Sequence, residues 1–233
     1  MLYIQLILKN KIDIIFLCGG KGTRLRPYTK NLPKPLLLVN KKPFLSHLIN
    51  KVIKLRNVDK IILAGGFKVQ KIRDFVKKEF KNSKKIIVIN SGEADIIKRI
   101  QHASKYITND FMVCYGDTFV DINLYKYIYK FNKTSNFSYV VGSMYQIKYG
   151  TIKYTNKKMV VNNFKEKPII KDPINLGYFL FNKEILIKIM KFKKWVNFLE
   201  MLAKSKKLKL LITNKKYFSF DNPTEYKAIK NKI

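Results

Sequence analysis

A short apolar run that leads into a glycine-rich loop constrains this chain more than any other feature of its sequence. Residues 14–17 read Ile-Ile-Phe-Leu, and residues 18–27 continue as Cys-Gly-Gly-Lys-Gly-Thr-Arg-Leu-Arg-Pro. This pattern predicts a buried strand and then a loop whose glycines let backbone N–H groups approach an anion closely. Lys21, Arg24 and Arg26 add positive charge at the same place. The segment therefore predicts a phosphate site, with a nucleoside triphosphate (NTP) as the ligand that suits it.

The loop matches neither of the two common nucleotide-binding motifs. Walker A requires G-x-x-x-x-G-K-[ST], and this spacing does not occur in the chain. The dinucleotide fingerprint G-x-G-x-x-G begins at Gly20 and Gly22, but Leu25 stands where its last glycine belongs. The chain instead combines GGKGTRLRP with Pro33-Lys34-Pro35 shortly afterwards.

This combination resembles the signature of the sugar-phosphate nucleotidyltransferases, also called nucleotide-sugar pyrophosphorylases. The resemblance implies Mg²⁺-dependent transfer of a nucleotidyl group from an NTP to a sugar 1-phosphate, which gives an NDP-sugar and pyrophosphate. It also implies a role in making precursors of surface polysaccharides. The implied catalytic residues are Arg24, Lys34 and Asp117. The implied nucleotide-binding residues are Cys18, Gly19, Gly20, Lys21, Gly22, Thr23, Arg24, Ser91, Gly92 and Gly116.

Motifs later in the chain follow the order of the same family. Asp117 ends Tyr115-Gly116-Asp117 after an apolar run, and Asp221 opens Asp-Asn-Pro-Thr-Glu-Tyr at residues 221–226. The second segment resembles the family's late D-x-x-[TP]-x-x-Y segment. The resemblance makes both aspartates Mg²⁺ ligands, and carboxylate oxygens suit that ion. It places Glu166 on sugar hydroxyls and Lys167 on the sugar phosphate, although alone this pair is an ordinary exposed charge pair. The full set of implied sugar-phosphate-binding residues is Gly150, Glu166, Lys167, Asn175 and Gly177.

Short apolar runs alternate with helical patterns in the first half of the chain. The predicted strands are residues 12–17, 60–64, 85–89 and 111–115, and the predicted helices are residues 44–56, 69–80 and 94–106. This order predicts an α/β fold, a Rossmann-like three-layer sandwich with a mixed, mainly parallel central sheet. Ligands then bind beyond the carboxyl ends of the strands, where the glycine loop falls.

The second half predicts a smaller antiparallel part that binds the sugar. Its predicted strands are residues 137–145, 149–154, 159–164 and 176–181, and its predicted helices are residues 124–131, 183–190 and 195–204. We expect a single nucleotidyltransferase domain over residues 1–233. Residues 1–11 are a possible N-terminal extension, residues 12–122 the nucleotide half and residues 123–233 the sugar-phosphate half.

The start of the chain carries an expectation about location. Residues 2–8 are apolar but too short to span a bilayer, and they lack the positive leader of a signal peptide. We therefore expect no membrane partner and a cytoplasmic location.

The identity of the base stays open at this stage. Residues 90–100 and 111–121 resemble the sugar-1-phosphate cytidylyltransferases. Residues 116–119 and 223–226 look more like the heptose-1-phosphate guanylyltransferases. The sequence slightly favours CTP, with GTP or dTTP as alternatives.

The positive charge of the chain admits a function of another class. Lys and Arg number 48 against 15 Asp and Glu, a formal charge of +33. A basic nucleic-acid-binding protein without catalysis is therefore the alternative hypothesis. The lysines are scattered along the chain and no RNA-binding motif such as RNP1 occurs, so we expect no specific nucleic acid. A homo-oligomer stays open.

Overall fold

A computed structural model describes residues 11–134, 136–155 and 159–232. The possible N-terminal extension, apart from Lys11, lies outside the described residues. The strands are β1 (Ile12–Cys18), β2 (Leu38–Val39), β3 (Lys42–Pro43), β4 (Val58–Gly65), β5 (Ile86–Asn90), β6 (Asp110–Tyr115), β7 (Thr118–Val120), β8 (Ser138–Ser143), β9 (Thr151–Thr155), β10 (Val160–Lys165), β11 (Ile174–Phe181), β12 (Leu208–Thr213) and β13 (Tyr217–Ser219).

Helices connect most of these strands. The α-helices are α1 (Phe44–Ile53), α2 (Val69–Glu79), α3 (Ile96–Ala103), α4 (Leu124–Asn132), α5 (Ile185–Ile189), α6 (Trp195–Lys204) and α7 (Pro223–Ile229). Short 3-10 helices span Thr23–Leu25, Lys34–Leu36 and Ser104–Tyr106. Among the described residues, no helix is both long and apolar enough to cross a membrane.

A seven-stranded sheet with the order β12-β8-β11-β6-β1-β4-β5 forms the centre of the molecule. Strands β6, β1, β4 and β5 are parallel neighbours, while β11 runs antiparallel to β6 and β8. Strands β9 and β10 form a separate antiparallel hairpin. The mixed, mainly parallel sheet and the smaller antiparallel part confirm the predicted fold class.

Strand β1 lies in the middle of the sheet and is buried on both faces. Phe16 packs into one hydrophobic cluster and Ile15 into a second one, because alternate side chains point to opposite faces. A parallel strand covered on both sides reads as a continuous apolar run, which explains residues 14–17. The buried Asp13 carboxylate accepts the backbone N–H groups of Thr108 at 2.8 Å and Asn109 at 3.0 Å.

Some predicted boundaries were wrong. The predicted helix 44–56 ends at Ile53, and the predicted helix 94–106 begins at Ile96 because Asp95 caps it by accepting the Lys98 N–H at 3.0 Å. The edge strand β12 was not predicted. Four of its six residues are exposed or partly exposed, although residues 210–212 read Leu-Leu-Ile.

The end of the chain returns to the carboxyl ends of the parallel strands. Strand β13 pairs antiparallel with β7, and Ser219 stands opposite Thr118. The buried Tyr178 hydroxyl on β11 donates to the Thr118 carbonyl at 3.0 Å, which ties the same corner to the central sheet. This pairing places Asp221, from the far end of the sequence, beside Asp117.

Candidate active site

Three adjoining cavities lie at the carboxyl ends of β1, β4, β5 and β6. The central cavity, of about 550 Å³, extends from the glycine loop to Asn175 on β11. The lysine cavity, of about 260 Å³, lies between the loop and Lys34, and the helix cavity, of about 410 Å³, lies between the loop and the start of α3. Gly20 lines all three. The glycine loop therefore borders all three of these cavities.

The loop takes a conformation that requires glycine at one position. Gly22 has φ 62° and precedes the 3-10 helix Thr23–Leu25. A Cβ at Gly22 would lie 3.0 Å from Cγ2 of Thr29, whose hydroxyl donates to the Gly22 carbonyl at 2.7 Å. Leu25 is buried and anchors the turn, whereas the Arg24 side chain is 75% exposed. The sequence thus anchors the backbone of the loop and leaves its arginine accessible.

The buried Lys34 joins two carboxylates from distant parts of the chain. Its ammonium group lies 2.6 Å from Oδ2 of Asp117 and 2.7 Å from Oδ1 of Asp221. It also lies 5.1 Å from the centre of the Phe220 ring. Only 11% of the Lys34 side chain is exposed. Both aspartates therefore direct an oxygen towards one cation at the border of the central and lysine cavities.

Asp221 is held ionised by its neighbours. Burial raises its pKa, but the hydrogen bond and charge of Lys34 and the nearby Arg24 guanidinium, at 3.1 Å, lower the pKa by more, so it lies below the ordinary value. The Asp221 N–H donates to Oε2 of Glu225 at 2.7 Å, and Asn222 caps α7 through the Glu225 N–H at 2.9 Å. The start of α7 therefore fixes the backbone that carries this carboxylate.

The helix cavity is bordered by the glycine loop and the segment before α3. Lys21 and Glu93 form an ion pair of 2.6 Å across its edge, and both side chains are largely exposed. The Arg99 guanidinium donates a hydrogen bond to the Gly19 carbonyl, and burial lowers the pKa of Arg99 from the usual value. Ser91 is buried, and among the described residues its hydroxyl has no hydrogen-bond partner.

The sugar-side residues divide into two groups. Asn175 lines the central cavity, and its Oδ1 accepts the Gly177 N–H at 2.7 Å. Gly177 has φ 74°, and a Cβ there would lie 2.4 Å from Cδ2 of Tyr115, which also lines the central cavity. Burial raises the pKa of Tyr115, so its hydroxyl stays neutral.

Glu166 and Lys167 lie on the exposed end of the β9–β10 hairpin. Their side chains are 62% and 59% exposed and approach each other to 3.8 Å. Lys167 has φ 44°, so the chain turns there. Oε2 of Glu166 lies beside Gly150, 3.1 Å from where a Cβ would be. None of these three residues lines the three cavities described here, and their roles stay predictions.

The structure brings most of the other predicted residues together. The residues that line at least one of the three cavities are Cys18, Gly19, Gly20, Lys21, Gly22, Thr23, Arg24, Lys34, Gly92, Gly116, Asp117, Asn175 and Asp221. Ser91 precedes Gly92 in the sequence, and Gly177 lies against Tyr115, which lines the central cavity. Burial raises the pKa of Cys18 to about 12, so its thiol stays neutral at the wall of the lysine cavity.

Some wall residues were missed from the sequence. Tyr217 and Ser219 of β13 line the central cavity, but a strand of three residues gives little periodicity to recognise. Arg99 lies among the buried apolar residues of α3, where an arginine is unusual. A charged residue within this apolar helix was the sequence signal that could have identified Arg99. Among the described residues, no group of three or more His, Cys, Asp or Glu could hold a metal.

Comparison with known proteins agrees with this geometry. The chain matches the sequence model named Nucleotidyl transferase over residues 13–222. It is 34% identical over 176 residues to the D-glycero-alpha-D-manno-heptose 1-phosphate guanylyltransferase of Campylobacter jejuni, covering 75% of this chain and 77% of that protein. It is 28% identical over 194 residues to the Bacillus subtilis protein named "Probable glucose-1-phosphate cytidylyltransferase", covering 73% and 75%.

A solved structure extends the similarity to three dimensions. The structure of HddC from Yersinia pseudotuberculosis complexed with GMP-PN superposes with a TM-score of 0.70 and 26% identity. The superposition covers 93% of this chain and 97% of that chain.

Proposed function

Because this chain belongs to the nucleotidyl transferase family, we propose that it transfers a nucleotidyl group from an NTP to a sugar 1-phosphate and releases pyrophosphate. One observation carries the proposal most directly. The buried Lys34 ammonium holds Asp117 and Asp221 together where the central and lysine cavities meet, beside the glycine loop. Two anionic substrates can meet there only if cations reduce their repulsion. Lys34 and the adjacent Arg24 supply positive charge, and the two carboxylates are groups that could hold a divalent cation.

The chemistry needs positioning and charge rather than a general base. The second pKa of a phosphate monoester is about 6, so the sugar phosphate is already an ionised nucleophile at pH 7. One of its oxygens forms a bond to the α-phosphorus of the NTP. The bond from that phosphorus to the oxygen bridging to the β-phosphate breaks, and pyrophosphate leaves with the electron pair. The protein accelerates this step by aligning the two phosphates and by neutralising charge.

Each charged residue of the cluster has a role in this proposal. Arg24, which is exposed and bordered by both cavities, neutralises the triphosphate. Lys34 neutralises charge near the attacked phosphorus and keeps the two carboxylates in position. The donor set also fits Mg²⁺, because Asp117 and Asp221 already direct oxygens towards one cation and carboxylate oxygens are suitable ligands for this ion. When bound there, Mg²⁺ would supply positive charge that stabilises the departing pyrophosphate.

The donor nucleotide is the finer part of the proposal. We keep CTP as the first choice on the sequence of residues 90–100, and the cytidylyltransferase relative supports it. The guanylyltransferase relative has the higher identity, so GTP is the direct competitor and dTTP the third candidate. A cytoplasmic enzyme that makes precursors of surface polysaccharide is the setting we propose.

A pyrophosphate-release assay tests the function. The purified protein is incubated with Mg²⁺, each of the four NTPs or dTTP, and a panel of hexose and heptose 1-phosphates. We expect saturable release with one base and one sugar class, and loss of release when EDTA removes divalent ions. Release that persists in EDTA would contradict the metal assignment.

The same experiment separates an enzyme from the nucleic-acid hypothesis. No release with any pair of substrates, together with tight and salt-dependent binding of RNA or DNA, would overturn the proposal. Normal release with only diffuse, salt-sensitive retention on nucleic acid would instead assign the high positive charge to surface composition.

A further inference from the structure

We propose that Arg99 is a positioning residue that holds the nucleotide-binding loops in the conformation that presents their N–H groups to the NTP. The proposal rests on the proposed function for the identity of the ligand. The loop geometry itself is independent of that function. Nothing in the sequence motifs assigns Arg99 such a role, because it lies on α3, outside the glycine loop and outside the aspartate pair.

The guanidinium of Arg99 joins three loops that follow three different strands. Nη2 donates to the Gly19 carbonyl after β1 at 3.1 Å and to the Gly92 carbonyl after β5 at 3.2 Å, and Nη1 donates to the Gly65 carbonyl at the end of β4 at 3.0 Å. Only 6% of Arg99 is exposed. A single buried side chain thus connects the loops that border the helix cavity and the central cavity.

The contact determines where the neighbouring N–H groups point. In a planar trans peptide the C=O and the following N–H point in opposite directions. Because the Gly19 carbonyl points to Arg99, the Gly20 N–H points away from it, and the Gly92 carbonyl does the same for the Glu93 N–H. Gly20 and Glu93 both line the helix cavity. The Phe67 N–H also donates to the Gly19 carbonyl, at 3.2 Å, so Arg99 acts together with it on the Gly20 N–H. Arg99 therefore helps to orient two donors of the loops before any ligand binds.

The close approach of the loop to the guanidinium explains the glycine that follows β1. A Cβ built on Gly19 would lie 1.6 Å from Nη1 of Arg99, far inside van der Waals contact. The absence of a side chain at Gly19 therefore leaves room for the Arg99 guanidinium, as well as for the close approach of a ligand to the backbone. Gly66 is crowded by the same group, since a Cβ there would lie 2.6 Å from Nη1 of Arg99, whereas a Cβ on Gly20 would meet nothing within 4 Å.

The planar fork of arginine matters for this role, and its charge alone does not suffice. A guanidinium offers five N–H donors in a fixed geometry, of which three serve the three carbonyls here. A lysine ammonium at the same place is a point charge on a flexible stem. Lys98 is the natural control, because it carries the same charge on the same helix and its side chain is exposed.

Arg99→Lys, Arg99→Ala and Lys98→Ala are compared with the full-length wild type. In the pyrophosphate-release assay we expect kcat/KM for the NTP to fall about a hundredfold in both Arg99 variants, the scale for misplacing reacting groups by about 1 Å. The KM for the sugar 1-phosphate changes little, and Lys98→Ala stays near wild type. Added guanidinium ion restores part of the activity of Arg99→Ala and none in Arg99→Lys.

Amide hydrogen exchange on the ligand-free proteins gives a readout that does not depend on turnover. We expect peptides that contain Gly20 and Glu93 to exchange faster in both Arg99 variants and unchanged in Lys98→Ala. Arg99→Lys keeps a cation and most of the side-chain volume, so it carries the test if Arg99→Ala does not fold.

The two proposals fail in distinguishable ways. If the wild-type protein is inactive with every substrate pair, the proposed function is wrong. Faster amide exchange of the loops in Arg99→Lys would still support the positioning role. An active wild type whose Arg99→Lys variant matches Lys98→Ala in kinetics and in exchange overturns the positioning role and leaves the proposed function standing.

Discussion

Lys34 and Lys167 carry the same charge in opposite surroundings. The Lys34 side chain is 11% exposed and contacts two carboxylates at 2.6 and 2.7 Å. The Lys167 side chain is 59% exposed and lies 3.8 Å from its neighbour Glu166. The cluster of Lys34, Asp117 and Asp221 is therefore assembled within the protein itself. The side chains of Glu166 and Lys167, by contrast, are accessible and contact each other only loosely.

The difference follows from what each region has to do in the proposed reaction. Charge that develops on transferred phosphates is stabilised best by groups that need no reorganisation, so a buried and connected cluster suits that step. Recognition of a hydrated sugar tolerates exposed side chains that order when the ligand arrives. Exposed ion pairs contribute at most about 1 kcal/mol, and the Glu166–Lys167 pair belongs to that class.

The largest effect should come from the aspartate in the buried cluster. We expect Asp117→Asn to lower kcat by about a thousandfold or more while the protein stays folded, because the change removes one of the two charges that Lys34 joins. Asp121→Asn is the matched control, since Asp121 is 65% exposed and pairs instead with Lys51 at 3.5 Å. Near-normal Mg²⁺-dependent turnover in Asp117→Asn would remove this residue from the mechanism and weaken the contrast between the two regions.

Arg24 tests whether an exposed cation at the border of the cluster behaves like a buried one. Loss of a single electrostatic donor costs roughly 3 kcal/mol, so Arg24→Ala should lower kcat/KM by about 150-fold. The loop offers Arg26 as a control, because it is exposed and does not line the central or lysine cavity. Equal losses in Arg24→Ala and Arg26→Ala would indicate general attraction of anions rather than a specific contact.

Residues that belong to local sequence motifs could be predicted better than contacts that depend on packing. The structure places the loop between Cys18 and Arg26, Lys34 and the two aspartates in or beside the cavities. Their motifs could be recognised in the sequence because glycine and proline act through local backbone geometry. The contact between Asp221 and Lys34 connects residues 187 positions apart and was not predicted. Only the family resemblance suggested that Asp221 belongs to the site.

Contacts that depend on packing could not be predicted in the same way. Arg99 reads as one more cation in a chain with 48 of them, and its burial follows from how α3 lies against β1 and β4. The edge strand β12 and the three-residue strands β7 and β13 were missed because their pairing partners are remote in sequence. Short exposed strands carry little pattern of their own.

Gly22 tests whether the glycine loop itself belongs to the preassembled region. Gly22→Ala forces a left-handed φ on alanine and brings its Cβ within 3.0 Å of Thr29. We expect a loss of about 2 kcal/mol in the free energy of unfolding, measured by urea denaturation. Gly20→Ala is the control because its Cβ would meet nothing within 4 Å. Equal stability of the two variants would show that the loop adapts rather than holds its shape.

Lys167 tests the exposed side of the comparison. We expect Lys167→Ala to raise the KM for the sugar 1-phosphate by about tenfold, the loss of about 1.4 kcal/mol of binding. Binding of the NTP with Mg²⁺, measured by calorimetry, should change little. Lys165→Ala on the same hairpin is the control, because Lys165 is also exposed. Normal sugar-phosphate kinetics in Lys167→Ala would leave the nucleotide half of the proposal standing and remove the role assigned to the hairpin.

The smallest effect is expected at Lys21, which lies in the glycine loop but resembles Lys167 in its surroundings. Its side chain is 52% exposed and pairs with Glu93, which is 79% exposed. Ion pairs of this kind contribute about 0–1 kcal/mol, so Lys21→Ala should change kcat/KM by less than about fivefold. A double-mutant cycle with Glu93→Ala isolates the pair and should give a coupling within the same range. A loss in Lys21→Ala far larger than in Arg24→Ala would reverse the roles of the two loop cations. A position beside the helix cavity, rather than beside the aspartate pair, would then determine which loop cation matters.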